Sequence, residues 1–129
     1  MRTLRVGIAS YEQMKARTVA IARGKYKPAA GEPKVWFTSA ESFARVLSDR
    51  NRALLGIIAE SAPESLARLA ELTGRKKSNL SRTLRTMERY GFVQLSHGVR
   101  GSVIPRVPYQ RISLTLPLSK PGWQGAEAA

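Results

Sequence analysis

Apolar residues recur at two different spacings along the chain, and the change of spacing predicts where strands give way to helices. Residues 3–10 alternate apolar and polar side chains, which is typical of a strand with one buried face. Between residues 49 and 90 the apolar positions recur every three or four residues, which is typical of amphipathic helices. The segment 92–109 returns to short apolar runs around a glycine-containing turn and predicts a β-hairpin.

Capping residues and glycines set the expected boundaries in the first third of the chain. Ser10 precedes a helix predicted over residues 11–23, and Gly24 ends it. Residues 25–34 contain two prolines and a glycine and are predicted to be a linker. The apolar run 35–38 then predicts a short strand or extended segment, after which another short helix begins.

The middle of the chain predicts three helices in close succession. The first begins at Asp49 and continues through Ile58. Ser65 can cap a second helix, and Gly74 stands where a left-handed C-terminal residue is expected. The third helix is predicted over residues 76–90, and the glycine that follows ends it.

The helix predicted over 76–90 separates its apolar and its polar residues onto opposite faces. At about 100° per residue, an apolar stripe forms within about 60° of Leu80. It consists of Leu80, Thr83, Leu84 and Met87. The opposite face consists of Ser78, Arg82, Arg85 and Arg89, with Asn79, Ser81 and Thr86 at its flanks. One face is therefore predicted to pack, and the other to remain exposed with its positive charge.

The charge of the chain indicates the kind of partner. Its 129 residues carry 22 Lys or Arg and 9 Asp or Glu, a formal net charge of +13. Residues 1–34 hold eight basic and two acidic side chains, residues 35–72 hold four and five, and residues 73–111 hold nine and one. Such a surface favours a polyanion, with nucleic acid ahead of an anionic membrane.

Two short helices joined at Gly74 and followed by a hairpin predict a winged helix-turn-helix, whose second helix enters the DNA major groove. Arg can donate two hydrogen bonds to guanine, and Asn can pair with adenine. Phosphate contacts are expected at helix starts and in the hairpin. The predicted DNA-binding residues are Ser65, Arg75, Lys76, Lys77, Ser78, Asn79, Ser81, Arg82, Arg85, Thr86, Arg89, His97, Arg100 and Arg106.

These residues have different expected roles, and some alternatives stay open. The N-terminal half of the reading helix is expected to contact bases, through Ser78, Asn79, Ser81 and Arg82. Arg85 and Arg89 either contact phosphate or remain solvated. His97 has the alternative of being only an exposed turn residue. Trp36 and Phe37 are expected to be core or interface anchors rather than platforms for base stacking.

The predicted fold class is α+β, mainly helical, with a C-terminal β-hairpin wing and an N-terminal strand–helix extension. Residues 1–33 form the extension and linker, residues 34–118 the winged helix-turn-helix domain, and residues 119–129 a flexible tail. The extension has three open roles, namely dimer contact, partner binding and added DNA contact. The last role would involve Arg2, Arg5, Lys15, Arg17 or Arg23.

The run from Ser65 to Leu95 resembles the winged-helix regulators of the MarR/ArsR type, with Met87 and Phe92 in place of two usual leucines. More narrowly, residues 9–24 and 34–55 together with this run resemble a group of short prokaryotic transcriptional regulators. The resemblance implies a DNA-binding repressor that acts as a homodimer. Because members of this group often lie beside a small toxin-like gene, it also implies an antitoxin as the alternative.

Other functional classes have weaker support in the sequence. An RNA-binding role fits the charge, but no aromatic-studded sheet of the RNA-binding kind is visible. One His, no Cys and no phosphate-binding glycine motif argue against an enzyme, a metal or a cofactor. No apolar run approaches the ~18 residues that span a bilayer, so a cytoplasmic, nucleoid-associated protein without membrane contact is expected.

Overall fold

The computed structural model describes residues 2–119, 122 and 123, and these form an α+β chain of two compact units. We call residues 4–43 together with 112–119, 122 and 123 the N-terminal unit. Residues 2–3 and 44–111 form the central unit. The sequence placed a boundary after residue 33, whereas the structure divides the chain after residue 43 because the strand at 35–37 pairs within the N-terminal sheet.

The N-terminal unit is built on a three-stranded sheet. Its middle strand, β1 (Thr3–Ile8), lies between β2 (Val35–Phe37) and β5 (Arg111–Thr115). β1 and β2 pair in parallel, so the chain needs a crossover between them, and α1 (Tyr11–Ala22) supplies it. Ser10 begins α1 with a capping box, in which its Oγ accepts the Gln13 N–H at 3.1 Å.

Trp123 completes the core of this unit. Its side chain is only 5% exposed and belongs to a cluster with Ala9, Ala16 and Ala20. Its ring lies edge-on to that of Trp36, with the centroids 5.5 Å apart. The prediction of a flexible tail after residue 118 is therefore wrong at Trp123, because burial of the indole holds it against the sheet–helix core. Residues 120, 121 and 124–129 lie outside the described residues.

Arg17 is held inside the N-terminal unit. Its Nη2 lies 3.3 Å from Glu32 Oε2, and its guanidinium lies 5.6 Å from the ring centre of Trp36. The hydroxyl of Tyr26 donates to the same Glu32 carboxylate, and this hydrogen bond is the main reason that the pKa of Tyr26 is raised. These contacts give Arg17 a packing role in the N-terminal unit.

The central unit contains three complete helices and the end of a fourth, and serine side chains cap several of them. α2 (Ala40–Val46) crosses the division between the units, and α3 (Asp49–Ser61) follows it. α3 ends at Ser61, and its C-cap residue, Ala62, has a left-handed conformation just before Pro63, where the sequence breaks the helix. Ser65 caps α4 (Leu66–Thr73), which ends at Gly74, and α5 (Lys77–Arg89) follows.

A two-stranded antiparallel sheet follows α5. β3 (Gln94–His97) pairs with β4 (Val103–Arg106), and both strands are shorter than the runs predicted from the sequence. A 3-10 turn at Val99–Gly101 connects them, and Gly98 is needed beside it. A Cβ at Gly98 would lie 2.7 Å from Ile104 Cδ1 and 2.9 Å from Ser102 Oγ, so a larger residue would require these side chains to shift.

The core of the central unit draws on every one of its longer elements. Residues with at most 7% exposure come from α3, α4, α5 and the hairpin. They are Leu54, Leu55, Ile58, Leu66, Leu69, Leu80, Leu84, Met87, Phe92, Val93 and Pro105. Burial of this apolar set orients α5, because one side of that helix has to face the core.

Candidate nucleic-acid interface

α5 buries the face that its periodicity predicted. Leu80, Leu84 and Met87 are each 0% exposed, and Thr83 is half-buried. Since these residues lie within one stripe of the helix, the polar residues between them are turned away from the core. The predicted division of α5 into a packing face and a polar face is confirmed.

The opposite face of α5 lies open on the surface. Ser81 and Thr86 are half-buried at its edges, and the other polar side chains are exposed. The exposed residues are Lys77, Ser78, Asn79, Arg82, Arg85 and Arg89. A shallow depression of about 570 Å³ runs along this face, lined by residues from Ser78 to Arg89. We call the residues of Lys76–Arg89 that face away from the core the basic face.

The cations of the basic face have no carboxylate partner among the described residues. Elsewhere, exposed arginines are neutralised locally, as Arg52 is by Asp49 at 2.9 Å and Arg68 by Glu71 at 3.0 Å. On α5, Arg89 Nη2 instead makes a hydrogen bond to a neutral group, the hydroxyl Oγ1 of Thr86, at 3.5 Å. The positive charge of the face therefore remains available to an anion from outside.

The start of α5 differs from the starts of other helices. Ser65 Oγ accepts the Arg68 N–H at 3.1 Å and so caps α4. α5 follows a left-handed residue, Gly74 with φ 72°, and its N-cap residue, Lys76, makes no side-chain capping bond. The first N–H groups of α5 consequently lack a side-chain acceptor, and the helix dipole adds positive potential there.

The hairpin contributes two predicted residues on its exposed surface. His97 is exposed and lines an open cleft of about 260 Å³ between α5 and the hairpin, together with Arg85 and Glu88. Arg100 stands in the connecting turn with φ 59°, a left-handed conformation, and its side chain is exposed. The tip of the hairpin therefore presents a free cation.

Two predicted residues donate hydrogen bonds within the central unit. Arg106 Nη1 donates to the carbonyl oxygens of Pro63, at 2.8 Å, and of Pro105, at 2.7 Å. Arg75 donates from Nη1 and Nη2 to Asn51 Oδ1, both at 3.3 Å. Burial lowers the pKa of Arg75, and the neighbouring charge of Arg50 lowers it further. Both contacts stabilise the fold between elements distant in sequence.

Sequence reasoning missed Arg50 and Asn51. Arg50 lines a cleft of about 220 Å³ with Arg75, and Asn51 bonds to Arg75. In the sequence both residues look like ordinary polar positions in the first turn of α3. They come close to Arg75 because α3 packs beside the turn between α4 and α5.

The described residues hold neither a membrane-spanning helix nor a metal cluster. None of their helices combines the length and the apolar character needed to cross a bilayer. Nor do these residues include a group of three or more His, Asp or Glu side chains arranged to hold a metal ion.

The geometry defines an α+β chain with an unneutralised basic helix face beside a hairpin. The chain belongs to the HVO_A0114 family, whose model matches residues 46–114, more than half of the chain. That region contains α3, α4, α5 and the hairpin. No curated protein and no solved structure matches the chain. The resemblance to regulators of the MarR/ArsR type stays a prediction.

Proposed function

We propose that this protein is a winged helix-turn-helix regulator that binds double-stranded DNA in a sequence-specific manner and represses transcription. The observation that carries the proposal is the basic face of α5, whose exposed cations form no ion pair among the described residues, Glu88 on the same helix included, and which lies opposite the buried Leu80, Leu84 and Met87. A helix of this kind after a tight turn has the dimensions and donors to enter a major groove.

In this proposal the residues of α5 divide into base and phosphate contacts. The N-terminal half of the helix enters the groove, so Ser78, Asn79 and Arg82 contact base edges. Lys76 and Lys77 contact phosphate, helped by the uncapped N–H groups at the start of α5. Arg85 and Arg89, about one and two turns beyond Arg82, contact the flanking DNA backbone.

The hairpin serves as the wing. Arg100 at its tip reaches the backbone or the adjacent minor groove, where a cation is attracted by the negative potential. His97 lies at the junction between wing and α5 and takes a supporting position. Arg106 is not among the contacts that we propose; its Nη1 donates to two carbonyl oxygens, and we assign it a structural role.

A homodimer is part of the proposal. A two-fold protein matches two half-sites about one helical turn of DNA apart and doubles the contact with DNA. The N-terminal unit does not include α5 or the wing, and we assign the dimer contact to this unit. Determination of the mass of the protein in solution, alone and bound to DNA, tests for the homodimer; a monomer in both states would contradict it.

The decisive experiment compares two duplexes. Binding to the promoter upstream of the protein's own gene is measured against a random duplex of equal length at two salt concentrations. A preference of about a thousand-fold or more supports specific reading, since specific sites typically exceed non-specific ones by at least that factor. Equal, steeply salt-sensitive binding to both duplexes contradicts it.

Two further measurements separate the alternatives. Stronger competition by RNA than by duplex DNA would support the RNA-binding role. Co-purification with a small protein encoded by the adjacent gene would support the antitoxin role, in which DNA binding serves as feedback on the pair of genes.

A further inference from the structure

A second cluster of positive charge lies in the central unit outside the basic face. Arg50, in the first turn of α3, and Arg75, in the turn between α4 and α5, line the same cleft of about 220 Å³. Thr73 lines it as well, and the rest of the lining is apolar, formed by Ala53, Leu54, Ile57 and Leu72. The cleft therefore brings together two guanidinium groups from segments 25 residues apart in the sequence.

Asn51 fixes the position of Arg75 in this cleft. Its Oδ1 accepts from Nη1 and Nη2 of Arg75 at 3.3 Å, while its Nδ2 donates to the Val46 carbonyl oxygen at 3.0 Å. The second bond determines which end of the amide faces Arg75, since only the amide nitrogen can donate. The Arg75 guanidinium is therefore held in place without losing its charge.

The two arginines lack a counter-ion among the described residues. Asp49, next to Arg50 in the sequence, pairs with Arg52 at 2.9 Å instead. Burial lowers the pKa of Arg75, and the charge of Arg50 lowers it further, so the two cations are close enough to disfavour one another. An anion in the cleft would remove this repulsion.

We propose that the cleft binds one phosphate group of the DNA backbone, shared between Arg50 and Arg75, with Asn51 as a positioning residue. This inference rests on the proposed function. Arg75 directly precedes Lys76 and Lys77, so the phosphate in the cleft belongs to the strand segment that reaches the start of α5. Two planar guanidinium groups on one phosphate also fit the preference of Arg for this ligand.

The test is the salt dependence of DNA binding by Arg50→Gln, Arg75→Gln and the double variant. Arg45→Gln is the matched control, since it removes an exposed arginine from the same unit. Loss of a charged hydrogen bond should weaken binding by about tenfold in either single variant. Because one phosphate is shared, the slope of the logarithm of affinity against that of salt should fall by about 0.9 in total in the double variant.

Other results would overturn the shared site. A fall of about twice that size in the double variant would show two separate phosphate contacts. Unchanged affinity in Arg50→Gln, in place of the tenfold loss, would also contradict the proposal; that variant removes an exposed side chain without a hydrogen bond among the described contacts, so its fold should be kept. Thermal unfolding verifies that each variant is folded at the temperature of the binding assay.

Inorganic phosphate distinguishes a DNA site from a site for a free anion. It is titrated into the DNA-free protein while thermal unfolding is followed. Stabilisation that the double variant loses, together with an unchanged slope on DNA, would assign the cleft to a free anion and overturn the DNA site. If the wild type binds promoter and random duplex equally and the slope still falls as expected, the specific function fails while the phosphate site stands.

Discussion

Arg106 and Pro63 lie 43 residues apart in the sequence and are joined by a hydrogen bond of 2.8 Å, from Nη1 to the carbonyl oxygen. The bond connects β4 with the segment between α3 and α4. Pro63 is buried, so its carbonyl oxygen depends on a protein donor more than an exposed one would. This contact gives Arg106 a structural role.

Arg106→Ala should therefore destabilise the fold without changing the charge contacts to DNA. An acceptor left unsatisfied should lower the free energy of unfolding by about 1–3 kcal/mol, measured by denaturant titration. Arg100→Ala is the matched control, because Arg100 is exposed at the tip of the hairpin. It should leave stability unchanged and reduce the salt dependence of DNA binding. The reverse pattern would make Arg106 the DNA contact.

Arg82→Ala should remove a base contact. We expect binding to the operator to weaken by about 1–3 kcal/mol and the preference at one base pair to relax. Measurement against a panel of operators with single base-pair changes tests this. Arg89→Ala, on the same helix face, should weaken binding to all of them about equally. Uniform weakening by Arg82→Ala as well would place that residue on phosphate.

Lys77→Ala should remove a phosphate contact at the start of α5. The slope of the logarithm of affinity against that of salt should fall by about one unit, with no change in base preference. Lys27→Ala is the control, since it removes an exposed lysine from the N-terminal unit. A slope equal to that of the wild type in Lys77→Ala would count against the proposed docking of this helix end.

Gly74→Ala should destabilise the turn between α4 and α5 through the backbone alone. Gly74 has φ 72°, and a Cβ there would meet no atom within 4 Å. The left-handed conformation should then cost about 1–2 kcal/mol in unfolding free energy. Gly56→Ala is the matched control, because Gly56 lies within α3 and its Cβ would also meet nothing within 4 Å. It should raise stability by about 0.5–1 kcal/mol.

Local features of the sequence predicted much of the central unit. The left-handed Gly74, the Ser65 cap and the 3.6-residue spacing of Leu80, Leu84 and Met87 all act within one or two helical turns. Such signals depend on backbone geometry and on side-chain period, so they are legible without knowledge of the fold. The same spacing assigned the arginines of α5 to the exposed face.

Trp123 is a large aromatic residue in a segment whose overall composition predicted a tail. A large aromatic side chain usually packs when a core is within reach, yet the composition of the segment around it suggested a tail. No local pattern indicated the residues that pack against it. These are Ala9, Ala16 and Ala20, which are more than 100 residues away in the sequence. The return of β5 to the edge of β1 is a long-range pairing of the same kind.

The sequence by itself determined the boundaries of α4 and α5, the buried stripe of α5 and the excess of positive charge, because each follows from composition or from contacts along one helix. The tertiary structure decided which of those cations make contacts within the chain. Arg75 and Arg106 donate to Asn51 and Pro63, while Arg50 joins the cleft beside Arg75. A guanidinium takes whatever acceptor the folded chain brings near it, and packing between distant elements sets that acceptor.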